Sequence, residues 1–279
     1  MISQIIGAIA RAIFVILLIA TPALLLPNVS RDTTQIVTLV ALFAAAFTLF
    51  EYATAYPSLT EFRYAPPFNR MRFVALFSIV FLLSIVFRGD SDTSALAGLV
   101  RAIGALVGQM IDVPFTPWRM LTNSLSGSLA PQDLAMLRSA VGISYVISLV
   151  MIVVFIVVMR VSNWPVTQGT FNFWINLPLF DPTTGGDVVT RLNWDARVNF
   201  GFALVLPFIV PGLAKLGIGM FDPERFLTPQ PLVWIFALWA FLPASLVMRG
   251  IALKRVAQMI SDQRRAQRAI QEQGRLQPV

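Results

Sequence analysis

Glu51-Tyr52-Ala53-Thr54-Ala55-Tyr56-Pro57-Ser58-Leu59-Thr60-Glu61-Phe62-Arg63-Tyr64-Ala65-Pro66-Pro67-Phe68-Asn69-Arg70-Met71-Arg72 separates two apolar runs and decides how the chain is organised. One run ends near Ala53 and the next begins at Phe73. A short segment dense in proline, aromatic and arginine residues between two such runs reads as a membrane hairpin turn. Arg63, Arg70 and Arg72 outnumber Glu51 and Glu61 in it. Basic residues collect on the cytoplasmic side of a membrane, so the turn is expected inside and orients everything else.

Composition agrees. Of the 279 residues, 57% are hydrophobic and 13% charged, with a mean hydropathy of +0.74. Soluble domains carry about a quarter charged residues, so the shortfall points to lipid rather than to a large water-facing surface. The net charge of +7 is concentrated at one end. Arg249, Lys254, Arg255, Arg264, Arg265, Arg268 and Arg275 stand against Asp262 and Glu272. Such a tail suits anionic lipid at a cytoplasmic surface, and no nucleic-acid partner is expected. The chain has neither cysteine nor histidine. That removes thiolate nucleophiles, disulfides and the usual ligands of haem, zinc and iron–sulfur centres, together with the commonest general base. No catalytic residue, metal site or cofactor is expected.

The predicted fold is all-α and polytopic, with six spans at about 5–26, 36–53, 71–87, 141–159, 198–216 and 232–248, each long enough to approach the thickness of a bilayer. Between the third and fourth, Leu96, Leu99, Val100, Ile103, Leu106, Val107 and Met110 recur at helical spacing, with Arg101, Gly104, Ala105, Gly108 and Asp112 opposite. Residues 95–113 therefore read as an amphipathic helix in the outer interface; an extra crossing would put the basic tail outside. Gly104 and Gly108 permit close helix packing, or are simply the small-residue face of an interfacial helix. Pro114 to Pro131 reads as an exposed loop. Residues 163–197 form a tryptophan-rich inner loop, in which the two-residue alternation from Phe171 to Leu177 suggests an extended or hairpin segment at headgroup depth. The basic tail, 249–279, reads as a cytoplasmic helical extension.

The carboxylate pairs Asp90/Asp92 and Asp181/Asp187 fit turns better than metal sites. Pro207 and Pro211 mark a candidate helix break in the fifth span, the feature a transporter would use. The crowded inner surface supplies a candidate partner-contact set: Tyr56, Glu61, Arg63, Tyr64, Arg70, Arg72, Trp174 and Trp194. The expected function is a non-catalytic subunit, scaffold or assembly factor of a bacterial inner-membrane complex, with both termini cytoplasmic. Its expected partners are other membrane proteins, with anionic lipids at the tail. The alternative is a small-solute transporter or channel built on the fifth span.

Overall fold

The computed structural model describes residues 2–63, 65–89, 92–125, 129–165, 171–183, 185–217 and 228–275. They form helices α1 (Ile2–Leu25), α2 (Arg31–Ala53), α3 (Pro66–Val86), α4 (Ala95–Met110), α5 (Pro117–Leu125), α6 (Pro131–Val161), α7 (Phe173–Asn176), α8 (Val188–Gly217) and α9 (Pro229–Arg275), with no strand among the described residues. Six of these, α1, α2, α3, α6, α8 and α9, are long and apolar enough to cross a membrane.

Local chemistry starts the helices where the sequence allows. Ser30 Oγ accepts the Thr33 N–H at 3.1 Å ahead of α2, and Ser94 Oγ accepts that of Ala97 at 3.2 Å ahead of α4. Prolines open α3 and α6, where a missing N–H leaves nothing unsatisfied. Asp187 Oδ2 takes the Thr190 N–H at 3.0 Å and starts α8. Inside the long helices, the hydroxyls of Ser84, Ser139 and Ser144 donate to carbonyls one turn earlier, at 2.7, 3.1 and 2.9 Å. Their polar atoms are thus satisfied without water.

Helix α3 lies at the centre, against α1, α4, α6 and α9; α9 also runs along α6 and α8. Ile79, Val80 and Leu83 of α3 meet Val141 and Phe155 of α6 and Val233, Phe236 and Met248 of α9 in one core. Helix α2 packs on α1 through Ala41 and Ala45 and leaves Leu39, Phe43 and Phe50 exposed. An apolar face of that kind is ordinary against hydrocarbon and a liability in water.

Helix α4 forms where its periodicity predicts, and its small residues are the packing face. Ala97, Val100, Gly104 and Gly108 are buried, while Leu96, Leu99, Ile103, Leu106 and Met110 are exposed. A Cβ on Gly104 would lie 2.5 Å from the Ser139 carbonyl oxygen, and one on Gly142 2.4 Å from that of Gly104. The backbones of α4 and α6 therefore touch, and glycine is required at the crossing.

Several features differ from the sequence reading. Helix α6 starts at Pro131 rather than Val141, and α8 at Val188 rather than Val198, so Trp194 is helical. The stretch read as an exposed loop contains α5, with Trp118 and Leu121 buried against α8. The extended segment is instead the single turn α7, where Asn176 N–H and Leu177 N–H reach back to Asn172 and Phe173 at 3.1 and 2.7 Å. A lone strand would have left those donors unsatisfied. The tail is helical as expected, and the 47 residues of α9 extend about 70 Å. Its first turns are not free, since Leu253, Val256, Ala257 and Met259 are buried.

Candidate functional site

The chain's chemistry concentrates at the end where residues 54–65, α7, the start of α8 and the outward turns of α9 meet. Glu51, in the last turn of α2, is 1% exposed. Its carboxylate accepts the backbone N–H groups of Ser58, Leu59 and Thr60 at 3.1, 3.0 and 2.8 Å, along with the Ser58 hydroxyl. Consecutive N–H groups aimed at one carboxylate make an anion nest, so Glu51 folds the hairpin turn rather than binding something outside it. Arg63 completes the turn by donating to the carbonyls of Tyr52 and Thr54 at 2.6 and 2.7 Å. These carbonyls are orphaned at the C-terminus of α2, where a cation is also favoured by the helix dipole.

Phe62 adopts a left-handed backbone, φ 51°, strained for a bulky residue. Its neighbours hold it there. The Phe62 N–H donates to the Asn176 carbonyl at 2.6 Å, and the Asn69 amide donates to the Glu61 carbonyl at 2.8 Å. The ring is buried against Phe68 and Trp164, with centroids 4.7 and 5.8 Å away.

Two ion pairs then fasten α9 to this frame. Glu61 accepts Nε and Nη2 of Arg249 at 2.5 and 2.7 Å, joining residues 188 positions apart. Asp187 accepts Arg264 Nη1 at 2.5 Å. Arg264, with help from the Thr190 N–H, holds the Asp187 carboxyl down to about 2. Arg72 lies over the rings of Phe68 and Phe241, 5.3 and 5.9 Å from their centroids. Aromatic faces satisfy part of its charge, and Glu61 attracts it as well.

The expected contact set therefore divides. Glu61, Arg63 and Arg72 meet internal partners of the frame. A charge taken out of water is costly unless a carbonyl, carboxylate or ring receives it. Tyr56, Trp174 and Trp194 are 68%, 53% and 62% exposed, and Arg70 is exposed too. Tyr64 lies outside the described residues. Sequence reasoning missed Arg249, Asn69, Asn176 and Trp164. The only signal for any of them was the aromatic density around residues 62–68.

The carboxylates weighed for metal binding serve their own turns. Asp181 accepts from the Thr183 N–H and hydroxyl at 2.8 and 2.6 Å, and Asp187 caps α8. Asp92 accepts the Ser94 N–H at 3.0 Å and pairs with Arg88 at 3.1 Å; Asp90 lies outside the described residues. No group of three or more His, Cys, Asp or Glu suited to a metal ion occurs among the described residues.

The candidate break in the fifth span does not form, because α8 runs through Pro207 and Pro211 as one helix. Pro211 has no N–H to offer the Pro207 carbonyl. The Trp239 indole N–H of α9 supplies that bond instead, at 2.8 Å. The Pro207 carbonyl thus joins two helices. No protein-family model, no curated protein and no solved structure matches this chain.

Proposed function

We propose that this chain is a membrane-embedded, non-catalytic subunit, scaffold or assembly factor of a larger complex in a bacterial inner membrane, and that the braced end described above faces its partner. One observation carries the reading. Glu51, Glu61, Arg63, Asp187, Arg249 and Arg264 are engaged in internal ties at this end, while Tyr56, Leu59, Trp174, Leu179 and Trp194 remain exposed on a frame that holds them in place. Exposed aromatic groups on a rigid support have the composition of protein-interface anchors and lose little entropy when a partner covers them. Arg70 and the basic turns of α9 support a cytoplasmic side for this end, and with it for both termini. Other membrane proteins are the proposed partners, with anionic lipid beside the exposed turns beyond Ser261.

The test is purification of the tagged full-length protein from its native membrane in gentle detergent, beside the variant Tyr56→Ala/Trp174→Ala/Trp194→Ala. The reading expects a stoichiometric membrane-protein partner with the wild type and its loss from the variant, at equal yield of the chain itself. Retention of every partner by the variant would overturn it.

A further inference from the structure

Between the end of α6 and the outward turns of α9 an open groove of about 370 Å³ is lined by Asn163, Trp164, Arg255, Ser261, Asp262 and Arg265, among others. That volume lies at the lower end of ligand sites, which run from about 300 to 1,000 Å³. Arg255, Gln258, Asp262 and Arg265 follow three- and four-residue spacing and so share one face of α9. Neither Arg255 nor Arg265 has an ion-pair or hydrogen-bond partner among the described residues, unlike Arg249 and Arg264 on the same helix. The opposite wall holds a second, independent sign of an absent acceptor. Trp164 is 4% exposed, and its indole N–H is buried without a hydrogen-bond partner among the described residues. Leaving such a donor unmade is unfavourable, so a slight turn of the ring that brought it to an acceptor in the groove would repair it.

We propose that this groove binds the phosphodiester headgroup of a membrane phospholipid. Two guanidiniums against the Asp262 carboxylate leave one positive charge, which matches the single negative charge of a phosphodiester better than the nearly doubled charge of a phosphate monoester. Asp262 takes the role of acceptor for the headgroup's own hydroxyl or ammonium protons. A lipid is favoured over a soluble phosphate because the groove begins directly past Val161, where α6 leaves its long apolar run, and because Met259 and Pro165 give it an apolar floor. Tryptophan belongs at that depth. The proposal does not depend on the partner surface, whose residues lie outside the groove.

The experiment is native mass spectrometry of the full-length protein titrated with phosphatidylglycerol, phosphatidylethanolamine or phosphatidylcholine, with the deacylated phosphodiesters glycerophosphoglycerol and glycerophosphoethanolamine as the soluble competitors. The expected result is one retained phospholipid, with retention falling about tenfold or more in Arg255→Gln/Arg265→Gln. Trp164→Phe keeps a ring in the wall and lowers retention about fivefold by removing only the donor. Arg31→Gln/Lys254→Gln removes the same charge outside the groove and leaves retention unchanged. Equal retention by the groove and control variants would overturn the site. Displacement of the lipid by a stoichiometric deacylated glycerophosphodiester would overturn the assignment to a lipid.

Discussion

The tie between Glu61 and Arg249 is the sharpest place to perturb the fold. Its two hydrogen bonds measure 2.5 and 2.7 Å, and the side chains are 12% and 28% exposed. Exposed pairs contribute about 0.2–1 kcal/mol, whereas stripping one partner from a buried pair costs about 3–5 kcal/mol. A bidentate pair that is mostly but not wholly buried falls between these, so the coupling between Glu61→Gln and Arg249→Gln should be about 2 kcal/mol, roughly a thirtyfold change in the unfolding equilibrium. The two single variants should also differ. Glu61 attracts both Arg249 and Arg72, so Glu61→Gln leaves two cations facing each other while Arg249→Gln leaves none. Glu61→Gln is therefore the more damaging. The assay is a double-mutant cycle on equilibrium unfolding of the full-length protein in mixed micelles. A coupling below about 0.5 kcal/mol, the range of a solvated pair, would refute the claim that this bond fastens α9 to the hairpin turn.

Other perturbations follow from the same geometry. Gly142→Ala puts a methyl 2.4 Å from the Gly104 carbonyl oxygen and should destabilise the α4–α6 pair by about 1–3 kcal/mol; Gly98→Ala, with nothing within 4 Å, should be neutral or better in the same thermal-unfolding assay. Trp239→Phe should cost about 1 kcal/mol, and less in a Pro211→Ala background, where residue 211 regains the N–H that serves the Pro207 carbonyl; equal losses in both backgrounds would remove the indole bond from the account. The Asp187 carboxyl is depressed, so its tie to Arg264 is fully present above the ordinary value of 3.8 and is lost as pH falls towards about 2. Spin-label distances between α8 and the outward turns of α9 should hold steady from about pH 8 to about pH 5 and lengthen only below about pH 4, and Asp187→Asn should abolish that acid step.

The six long helices were legible because each presents an apolar run that no soluble fold requires, and the helical tail because no proline interrupts it between Arg249 and Gly274. Boundaries were less so. Helix α8 extends back to Val188 through Asn193, Asp195 and Arg197, which hydropathy assigns to a loop but which a helix tolerates once it leaves the apolar layer. Helix α5 was hidden by Pro117, read as a breaker although proline is welcome at a first helical position; Thr116 Oγ, accepting the Arg119 N–H at 3.3 Å, was the overlooked cap. The crowding around residues 51–72 was visible, but its direction was not. Glu51 meets backbone donors seven to nine residues ahead and Glu61 meets an arginine 188 residues away, pairings that sequence spacing does not encode.

The most direct test uses the absence of cysteine, which makes single-cysteine labelling free of background. Leu59→Cys, Ser162→Cys and Gln263→Cys lie at the braced end, and Thr93→Cys and Ala130→Cys at the opposite end of the six long helices. In sealed membrane vesicles of known orientation, the account predicts that an impermeant maleimide reaches the first three from the cytoplasmic face only and the last two from the opposite face only. Labelling of Thr93→Cys or Ala130→Cys from the same face as Gln263→Cys would contradict the six-span arrangement.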